Sequence, residues 1–297
     1  MKTISKVFSC ILAFSSLLGS VEGQNRYKIW YDKPASYWEE ALPIGNGRIA
    51  AMVFGDPQLE QIQLNEETVS AGSPYQNYNE EAKAALPEMR RLIFEGKYEE
   101  AQNMAATKIL SQVGNEMPYQ TVGRLNIRYQ DHKKVSNYYR DLDISNAMTV
   151  TRYKVDGVEF TEETFASFTD QLVIRHIKSS KPGAINCELF FNTPMRDPKR
   201  SIYGKKGLRL EGITHGSRYF PGKVHYCADL DVKNKGGEVT MANDTLLSVQ
   251  GASELTLYIS MATNFVNYKD ISGDPYQRNK TYLKNAEKEY DKAKAAH

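Results

Sequence analysis

The residues of this chain with the clearest chemical capacity are glutamates, which occur five times as adjacent pairs. The pairs are Glu39-Glu40, Glu66-Glu67, Glu80-Glu81, Glu99-Glu100 and Glu162-Glu163. Two carboxylates that face one substrate can serve as an acid and a base, but neighbouring residues of a strand point to opposite faces of its sheet. Any cooperating pair must therefore come from distant segments, and most of these glutamates are expected to face solvent.

Glu66 is the best exception among these carboxylates. It ends the segment EQIQLNE, where it shares one strand face with Ile62 and Leu64. A carboxylate at the rim of an apolar face loses part of its hydration, and this desolvation raises its pKa. The alternative is a carboxylate that only caps a helix or a loop, and this more ordinary interpretation is preferred.

A second set of polar residues alternates along the predicted strand Val224–Lys233. His225, Cys227, Asp229 and Asp231 share one face of it. At about 3.3 Å per residue they extend over roughly 20 Å, so they cannot all bind one metal ion. The opposite face is apolar, which favours a core strand whose polar face meets water. No metal site is predicted.

No cofactor is predicted either. The chain has no phosphate loop, no zinc-type cysteine pairing and no nucleophile elbow. Gly45-Asn46-Gly47 lacks the further glycine and the preceding strand of a dinucleotide-binding fingerprint.

The composition is that of an ordinary folded protein rich in aromatic residues. The 297 residues are 41% apolar and include 19 tyrosines and 11 phenylalanines, with a net charge of +2. Aromatic side chains pack well on a half-buried pleated surface, so this composition favours sheets. The length allows one large domain or two small ones. Because no basic block or acidic tail is present, no nucleic-acid partner is expected.

The start of the chain has the layout of a secretory signal peptide, Met1–Gly23. Two lysines in MKTISK precede the apolar run VFSCILAFSSLL, and the small residues of GSVEG follow. The run is too short to span a bilayer of about 30 Å, so a signal peptide is preferred over a membrane anchor. The mature protein is therefore expected to be secreted or periplasmic, without a membrane partner.

Cleavage after Gly23 would leave two cysteines, Cys187 and Cys227. An exported protein could join them, but each lies in a predicted strand, and a disulfide requires adjacent strands with suitable Cβ geometry. Two buried free thiols are the preferred alternative.

Strand patterns dominate the rest of the chain and predict a large antiparallel sandwich. In the clearest hairpin, MTVTRYKVDGVEF, Asp156-Gly157 supplies the two positive φ angles of a two-residue turn. The continuous apolar run Ile49–Phe54 is typical of a strand covered on both faces. Further predicted strands are Tyr27–Tyr31, Glu60–Asn65, Leu125–Tyr129, Leu172–Ile177, Ile185–Asn192, Leu208–Gly212, Val224–Lys233, Leu246–Gln250 and Glu254–Ala262.

Two helical segments are predicted in this mainly β chain. In a helical insertion, Pro87 suits the first turn of a helix that Gly96 ends, and a second apolar stripe runs from Tyr98 to Ile109. After Asp274-Pro275, an amphipathic helix continues to His297. The apolar face of such a helix must pack against another part of the protein. It either packs back on the sandwich or links to a region that this sequence does not contain.

In their order along the chain, these segments resemble the start of glycoside hydrolase family 95, the exported α-L-fucosidases and their relatives. The resemblance covers Trp30 to Phe265 and rests on ALPIGNGRIAAMVFG, QLNEETVSAGSP, RRLIFEGKYEEAQ, MPYQTVGRLNIRY and the long hairpin segment. It implies a β-sandwich of the family 65 N-terminal type, shared with maltose phosphorylases. In the family a helical linker and a catalytic (α/α)₆ barrel follow. The domains predicted from it are the signal peptide 1–23, the sandwich 24–270 and the start of the linker 271–297.

The resemblance implies an inverting α-L-fucosidase that acts on fucosylated oligosaccharides, with an acid and a base set apart to admit water. No barrel motif occurs in the sequence, so this chain is expected to contain no catalytic residue and to be inactive alone. Asn46, Arg48, Asn65 and Glu66 are the candidates for the seam with the barrel or the rim of its pocket. A turn that merely shapes the sandwich is the preferred alternative for Gly45–Arg48, because glycines commonly serve backbone geometry.

Two departures from the family pattern leave the sugar open. Many relatives read LNEDTLWSGSP where this chain reads LNEETVSAGSP, and they often have an acidic residue where this chain has Arg124. The alternatives are an α-L-galactosidase, a sugar-binding sandwich without catalysis, and a structural domain that docks another polypeptide through its sheet edge. Glycosylation sequons at Asn243 and Asn279 matter only in a eukaryotic secretory route.

Overall fold

Two antiparallel sheets form the described part of the chain, residues 27–111, 117–216, 220–287 and 289–297 of a computed structural model. The predicted signal peptide lies outside these residues. The strands are β1 (Lys28–Tyr31), β2 (Leu42–Gly45), β3 (Ile49–Val53), β4 (Leu59–Glu66), β5 (Gly123–Tyr129), β6 (Val135–Asp143), β7 (Met148–Val155), β8 (Val158–Ser167), β9 (Leu172–Ser179), β10 (Ile185–Asn192), β11 (Arg196–Tyr203), β12 (Gly207–Ile213), β13 (His225–Lys235), β14 (Glu238–Asn243), β15 (Leu246–Ala252) and β16 (Glu254–Thr263).

The two sheets form a sandwich, which confirms the predicted fold class. Among the described residues, the larger sheet has nine strands in the order β1-β6-β7-β8-β9-β16-β13-β12-β11. The smaller has seven, in the order β14-β15-β10-β5-β4-β3-β2. The core lies between them, where Ile62 and Leu125 of the smaller sheet and Leu230 and Leu257 of the larger are fully buried. Burial of each such side chain contributes about 1.5–3 kcal/mol.

The β3 strand is covered on one face only, so the prediction of cover on both faces is wrong. Ile49, Ala51 and Val53 are buried, whereas Ala50 and Met52 are half-buried on the outer face of the smaller sheet. Alanine and methionine tolerate this partial exposure, and the sequence therefore reads as continuously apolar.

The Asp156-Gly157 hairpin is confirmed. Asp156 and Gly157 have φ angles of 48° and 82°, and Val155 pairs with Val158 across the turn. Two positive φ angles match the right-handed twist of the flanking strands.

Four strands were not predicted. The sequences of β6, β11 and β14 are largely polar, and β2 consists of four residues that include a proline. β11 is an exposed edge strand with a proline inside it, and edge strands tolerate proline because one side needs no partner. In β6, Arg140 and Asp141 are buried charges that hide the expected alternation.

The helical insertion contains α1 (Ala82–Phe94) and α2 (Tyr98–Met104), followed by a π-helical turn at Ala105–Ile109. The predicted start at Pro87 is wrong, since α1 begins five residues earlier. Only one intrahelical hydrogen bond is lost so close to the first turn, which makes the proline tolerable. Gly96 follows α1 with a φ of 75°, so the predicted stop is confirmed.

The C-terminal segment packs back on the outer face of the larger sheet. It consists of α3 (Pro275–Leu283), a 3₁₀ turn (Lys284–Glu287) and α4 (Tyr290–Ala296), so the prediction of one continuous helix is wrong. Asp274 caps α3 by accepting hydrogen bonds from the backbone N–H groups of Tyr276 and Gln277. A second apolar cluster joins the segment to the sheet; it contains Met148, Phe165, Leu172, Ile174, Tyr258, Ala286 and Ala293.

The α3 helix also covers the middle of the polar face of β13, so the expectation that this face meets water is wrong for Cys227 and Asp229, whereas His225 is exposed. Cys227 and Asp229 are fully buried, and the Asn279 amide donates a hydrogen bond to the Cys227 carbonyl at 3.0 Å. Asp229 accepts two hydrogen bonds from Arg209, at 2.6 and 2.8 Å. Because Asn279 is itself buried, its sequon is inaccessible in this fold. Cys187 and Cys227 are both free thiols.

In the part of the chain that the structure describes, no group of three or more acidic, histidine or cysteine side chains is arranged to hold a metal ion. None of the helices described combines the length and apolar character needed to cross a bilayer.

Candidate functional site

The candidate residues of the Gly45–Arg48 turn lie where this turn meets the larger sheet. The Asn46 side-chain oxygen accepts hydrogen bonds from the backbone N–H groups of Arg48 and Ile49, at 3.0 and 2.9 Å. Its amide donates to the Ser167 carbonyl at 2.9 Å. With Gly47 at a φ of 94°, Asn46 thus shapes the turn and ties it to β8 of the opposite sheet.

Arg48 connects the turn to four other segments. Its guanidinium donates to the Met261 carbonyl at 2.8 Å and to the Gln171 side chain at 2.6 Å. It lies 3.4 Å from the Glu66 carboxylate. Its charged carbon is 4.5 Å from the centre of the Tyr282 ring in α3, a cation–π contact. Arg48 therefore fastens the C-terminal segment to the sandwich.

Glu66 is only 4% exposed, and burial raises its pKa. Its carboxylate accepts hydrogen bonds from the Thr68 backbone N–H at 2.8 Å and the Thr68 hydroxyl at 2.6 Å. These bonds and the Arg48 charge oppose the rise without cancelling it. Burial of Glu66 on an apolar strand face therefore raises its pKa, as the sequence predicted.

Asn65 lies apart from this network. It precedes Glu66 in β4 and faces the outside of the smaller sheet, opposite Ala50. Its side chain is hydrogen-bonded to Tyr119. The structure therefore brings Arg48 and Glu66 into contact, places Asn46 in the adjoining turn, and separates Asn65 from all three.

A cavity of about 650 Å³ opens beside Glu67 and Thr68, at the end of β4. Its walls are mainly apolar and aromatic. The lining comprises Glu67, Thr68, Ser70, Ala71, Gly72, Ser73, Pro74, Tyr75, Asn77, Met117, Val224, Phe265, Tyr268 and Ile271. One carboxylate in this lining, that of Glu67, cannot supply an acid and a base together.

The sequence reasoning missed a buried ionic cluster inside the sandwich. Arg175 contacts Glu60 at 3.2 Å and also contacts Glu162, and all three side chains are excluded from solvent. Glu162 accepts further hydrogen bonds from the hydroxyls of Tyr129 at 2.5 Å and Tyr153 at 2.7 Å. Solvent exposure of Glu162 is therefore a wrong expectation.

This buried ionic cluster has a structural rather than a catalytic arrangement. Glu60 accepts hydrogen bonds from the backbone N–H groups of Phe54 and Gly55, each at 3.1 Å. Burial raises the pKa of Glu60 to about 7. A signal existed in the sequence: Glu60 shares the inward strand face of Ile62, and Arg175 interrupts the apolar run LVIRHI.

A similar fold occurs among solved protein structures. A human-microbiome chain assigned as a kojibiose phosphorylase aligns at a TM-score of 0.50 and 10% sequence identity, over 91% of this chain and 37% of that one. At this low identity, the likeness concerns the fold alone. The class of protein that the fold defines is thus a two-sheet β-sandwich domain.

The chain belongs to the family described as glycosyl hydrolase family 65, N-terminal domain, whose model matches residues 29–268. Alpha-L-fucosidase 2 of Arabidopsis thaliana is 31% identical over 261 residues, which are 80% of this chain and 30% of that protein. A protein assigned as alpha-fucosidase A of Aspergillus oryzae is 22% identical over 272 residues, 88% of this chain and 36% of that protein. The predicted family resemblance is confirmed, and the chain spans about a third of these curated relatives.

Proposed function

We propose that this chain is the N-terminal sandwich of an exported, inverting α-L-fucosidase that acts on fucosylated glycans. The observation that carries the proposal is the family match over residues 29–268 combined with similarity to a named α-L-fucosidase along 80% of the chain. The sandwich would brace a catalytic (α/α)₆ barrel, and the chain alone would not hydrolyse a glycoside. The signal-peptide pattern of Met1–Gly23 supports export to the periplasm or the exterior.

The distribution of carboxylates supports placing the catalytic acid and base outside this chain. Inversion requires two carboxyl groups about 6.5–9.5 Å apart on either side of a glycosidic bond. In the described residues, Glu60 and Glu162 are both engaged with Arg175, and Glu66 is engaged with Thr68 and Arg48. None of the three lines the cavity beside Glu67. Their contacts hold the sandwich together, so none of these three carboxylates is free to act as the catalytic acid or base.

The contacts of Arg48 support a seam function for the candidate residues. Arg48 joins the Gly45–Arg48 turn to Tyr282 of α3, and the linker of the family would continue from this segment. Arg48, with Glu66 and Asn46 behind it, would set the direction in which the linker leaves the sandwich. Asn65 lies on the outer face of the smaller sheet, so any contribution it makes to the seam would be separate from that of these three residues.

Hydrolysis of 4-nitrophenyl α-L-fucopyranoside tests the proposal. The 297-residue chain should release no nitrophenol above the uncatalysed rate, whereas a protein extended to the length of the relatives should do so. NMR of the first product should show β-L-fucose, since inversion reverses the anomeric configuration. Turnover by the chain alone, or α-L-fucose as the first product, would contradict the proposal.

The same assay with 4-nitrophenyl α-L-galactopyranoside addresses the sugar. L-Fucose and L-galactose differ by one hydroxyl, and a site built to bind that hydroxyl rejects the sugar that lacks it. Faster turnover of the galactoside would replace α-L-fucosidase with α-L-galactosidase while leaving the domain assignment intact.

A further inference from the structure

Two depressions meet at Arg124 on the outer face of the smaller sheet, away from Glu66 and from the cavity beside Glu67. One, of about 610 Å³, includes Tyr37, Trp38, Phe54 and Gln61 in its lining. The other, of about 280 Å³, includes Gln63 and Asn192. Arg124 lines both, and together they form what we call the Arg124 groove. Its size falls within the range of small-molecule sites, about 300–1,000 Å³.

An aromatic wall stands at one end of the Arg124 groove. The side chains of Tyr37 and Trp38 are 57% and 51% exposed, although the backbone that carries them is held firmly. Glu40 accepts a hydrogen bond from the Ser36 N–H at 2.9 Å, and the Glu40 carbonyl accepts one from Arg140 at 2.7 Å. The indole of Trp38 thus extends from a hydrogen-bonded backbone segment as a solvent-facing apolar surface, which water does not favour without a ligand.

Amide side chains and the Arg124 guanidinium form the floor of the groove. Arg124 donates a hydrogen bond to the Gln61 side chain at 2.8 Å, and it lies between Gln63 and Asn192 in the strand register. Amide side chains offer both donors and acceptors, and a guanidinium offers donors in one plane. Together, these amide and guanidinium groups can form hydrogen bonds with several hydroxyl groups of one ligand.

The charge of the groove excludes a strongly ionic ligand. Its charged lining residues are Arg124, Lys33 and Asp56, and Lys33 lies 3.8 Å from the Glu40 carboxylate. The remaining charge is therefore small. A surface that docks another protein domain usually has an apolar centre, whereas here the centre is amide and guanidinium.

We propose that the Arg124 groove binds a neutral oligosaccharide, with the apolar face of one sugar ring on Trp38 and its hydroxyl groups on Arg124, Gln61 and Gln63. This inference rests on the proposed function in expecting a glycan as ligand. It adds a second, non-catalytic sugar site on the sandwich, which would hold a glycan chain while the barrel cleaves it.

The chain contains two tryptophans, and this permits a matched test. Trp30, 61% exposed, lies on β1 of the other sheet, so the variant Trp30→Phe leaves Trp38 as the sole indole. Titration of this variant with 2′-fucosyllactose or cellotetraose should change its emission saturably. The reciprocal variant Trp38→Phe, which reports on Trp30, should give a flat titration.

Calorimetry on the 297-residue chain provides the second measurement. Trp38→Ala and Arg124→Met should each raise Kd about tenfold or more, because each removes one main contact. Trp30→Ala is the control and should leave Kd unchanged. Circular dichroism melts establish that each variant is folded.

Flat titrations at millimolar sugar with the folded Trp30→Phe variant would overturn the inference. So would a Trp38→Ala chain that binds as well as the parent, or tighter binding of a chondroitin sulfate tetrasaccharide than of the neutral sugars. Loss of binding in a protein extended to the relatives' length would assign the groove to interdomain contact and also refute it. If the extended protein hydrolyses the fucoside while the groove fails to bind, only this inference fails. If the groove binds and no hydrolysis occurs, only the proposed function fails.

Discussion

At the scale of single residues, the central feature is one guanidinium shared by two buried carboxylates. Arg175 contacts Glu60 and Glu162 in a solvent-free interior. Two negative charges and one positive charge leave a net negative charge if all three groups ionise. Isolated buried charge is strongly unfavourable, and a bound proton on Glu60 removes it, in accordance with its pKa of about 7.

The titration of Glu60 predicts how stability depends on pH. The folded state raises the pKa of Glu60 from 4.5 to about 7, so it binds this proton more tightly than the unfolded chain does. The stabilisation is complete below pH 4.5 and is lost as the pH rises through 7. The free energy of unfolding should fall by on the order of 3 kcal/mol across that interval.

Urea denaturation at several pH values measures this loss. Glu60→Gln keeps an acceptor for the N–H groups of Phe54 and Gly55 but cannot ionise, so its stability should vary less between pH 4.5 and 7. Glu67→Gln, at an exposed position, is the matched control and should retain the parent slope. Equal slopes for parent and Glu60→Gln would contradict the assignment.

Removal of the shared cation provides a second prediction. Arg175→Met should destabilise the chain by about 3–5 kcal/mol, because it leaves two buried carboxylates without a counter-charge. The triple variant Glu60→Gln, Arg175→Met and Glu162→Gln should recover part of this loss. Arg128→Met is the control: Arg128 is exposed and pairs with Glu188 at 3.1 Å, so its loss should cost less than about 1 kcal/mol. Similar losses for Arg175→Met and Arg128→Met would be inconsistent with a critical buried cluster.

At the scale of elements, the C-terminal segment is held by small residues and by a few polar contacts. Ala286 and Ala293 allow close approach to the larger sheet. The Tyr290 ring stacks on His176 with centroids 4.0 Å apart, and its hydroxyl donates to Glu163 at 2.5 Å. Lys294 binds the same carboxylate at 2.8 Å. The docking is therefore specific, although α4 is short.

A large residue at position 293 should detach α4. Ala293 is 1% exposed, and Ala293→Arg would overpack its contact with the sheet at a cost of about 1–3 kcal/mol. Hydrogen exchange should accelerate in residues 289–297, while the strands of the sandwich remain protected. Ala295→Arg lies on the exposed side of the same helix and is the matched control. Unchanged protection in Ala293→Arg would indicate that α4 tolerates displacement without undocking.

At the scale of the whole molecule, the two helical parts differ in their relation to the sandwich. The helices of the insertion contact mainly one another, whereas α3 contacts β13 and β16. The ends of the insertion are close together, since the Asn79 amide donates to the carbonyls of Thr107 at 3.2 Å and Leu110 at 3.5 Å. The insertion therefore packs little against the sandwich, whereas the C-terminal segment packs directly on the larger sheet.

Deletion variants should reveal this difference. Replacement of residues 80–109 by a short glycine-serine linker should shift Tm by less than about 4 °C, because few contacts to the strands are lost. Removal of residues 275–297 should lower Tm by about 10 °C, because Phe165 and Tyr258 become exposed. Scanning calorimetry measures both shifts. A larger loss from the first deletion would show that the insertion stabilises the sandwich directly.

The sequence by itself determined the fold class, the Asp156-Gly157 hairpin, the glycine end of α1 and the family, because these depend on local periodicity, turn chemistry and motif order. It also located the raised pKa of Glu66, which follows from one apolar strand face. Only the tertiary structure decided which polar residues are buried. Asp229 lies under α3 and Glu162 beside Arg175 because segments 46 and 13 residues away in the chain supply their cover and their counter-charge. Likewise, the two walls of the Arg124 groove come from residues 33–63 and 121–194, and no local pattern shows that they meet.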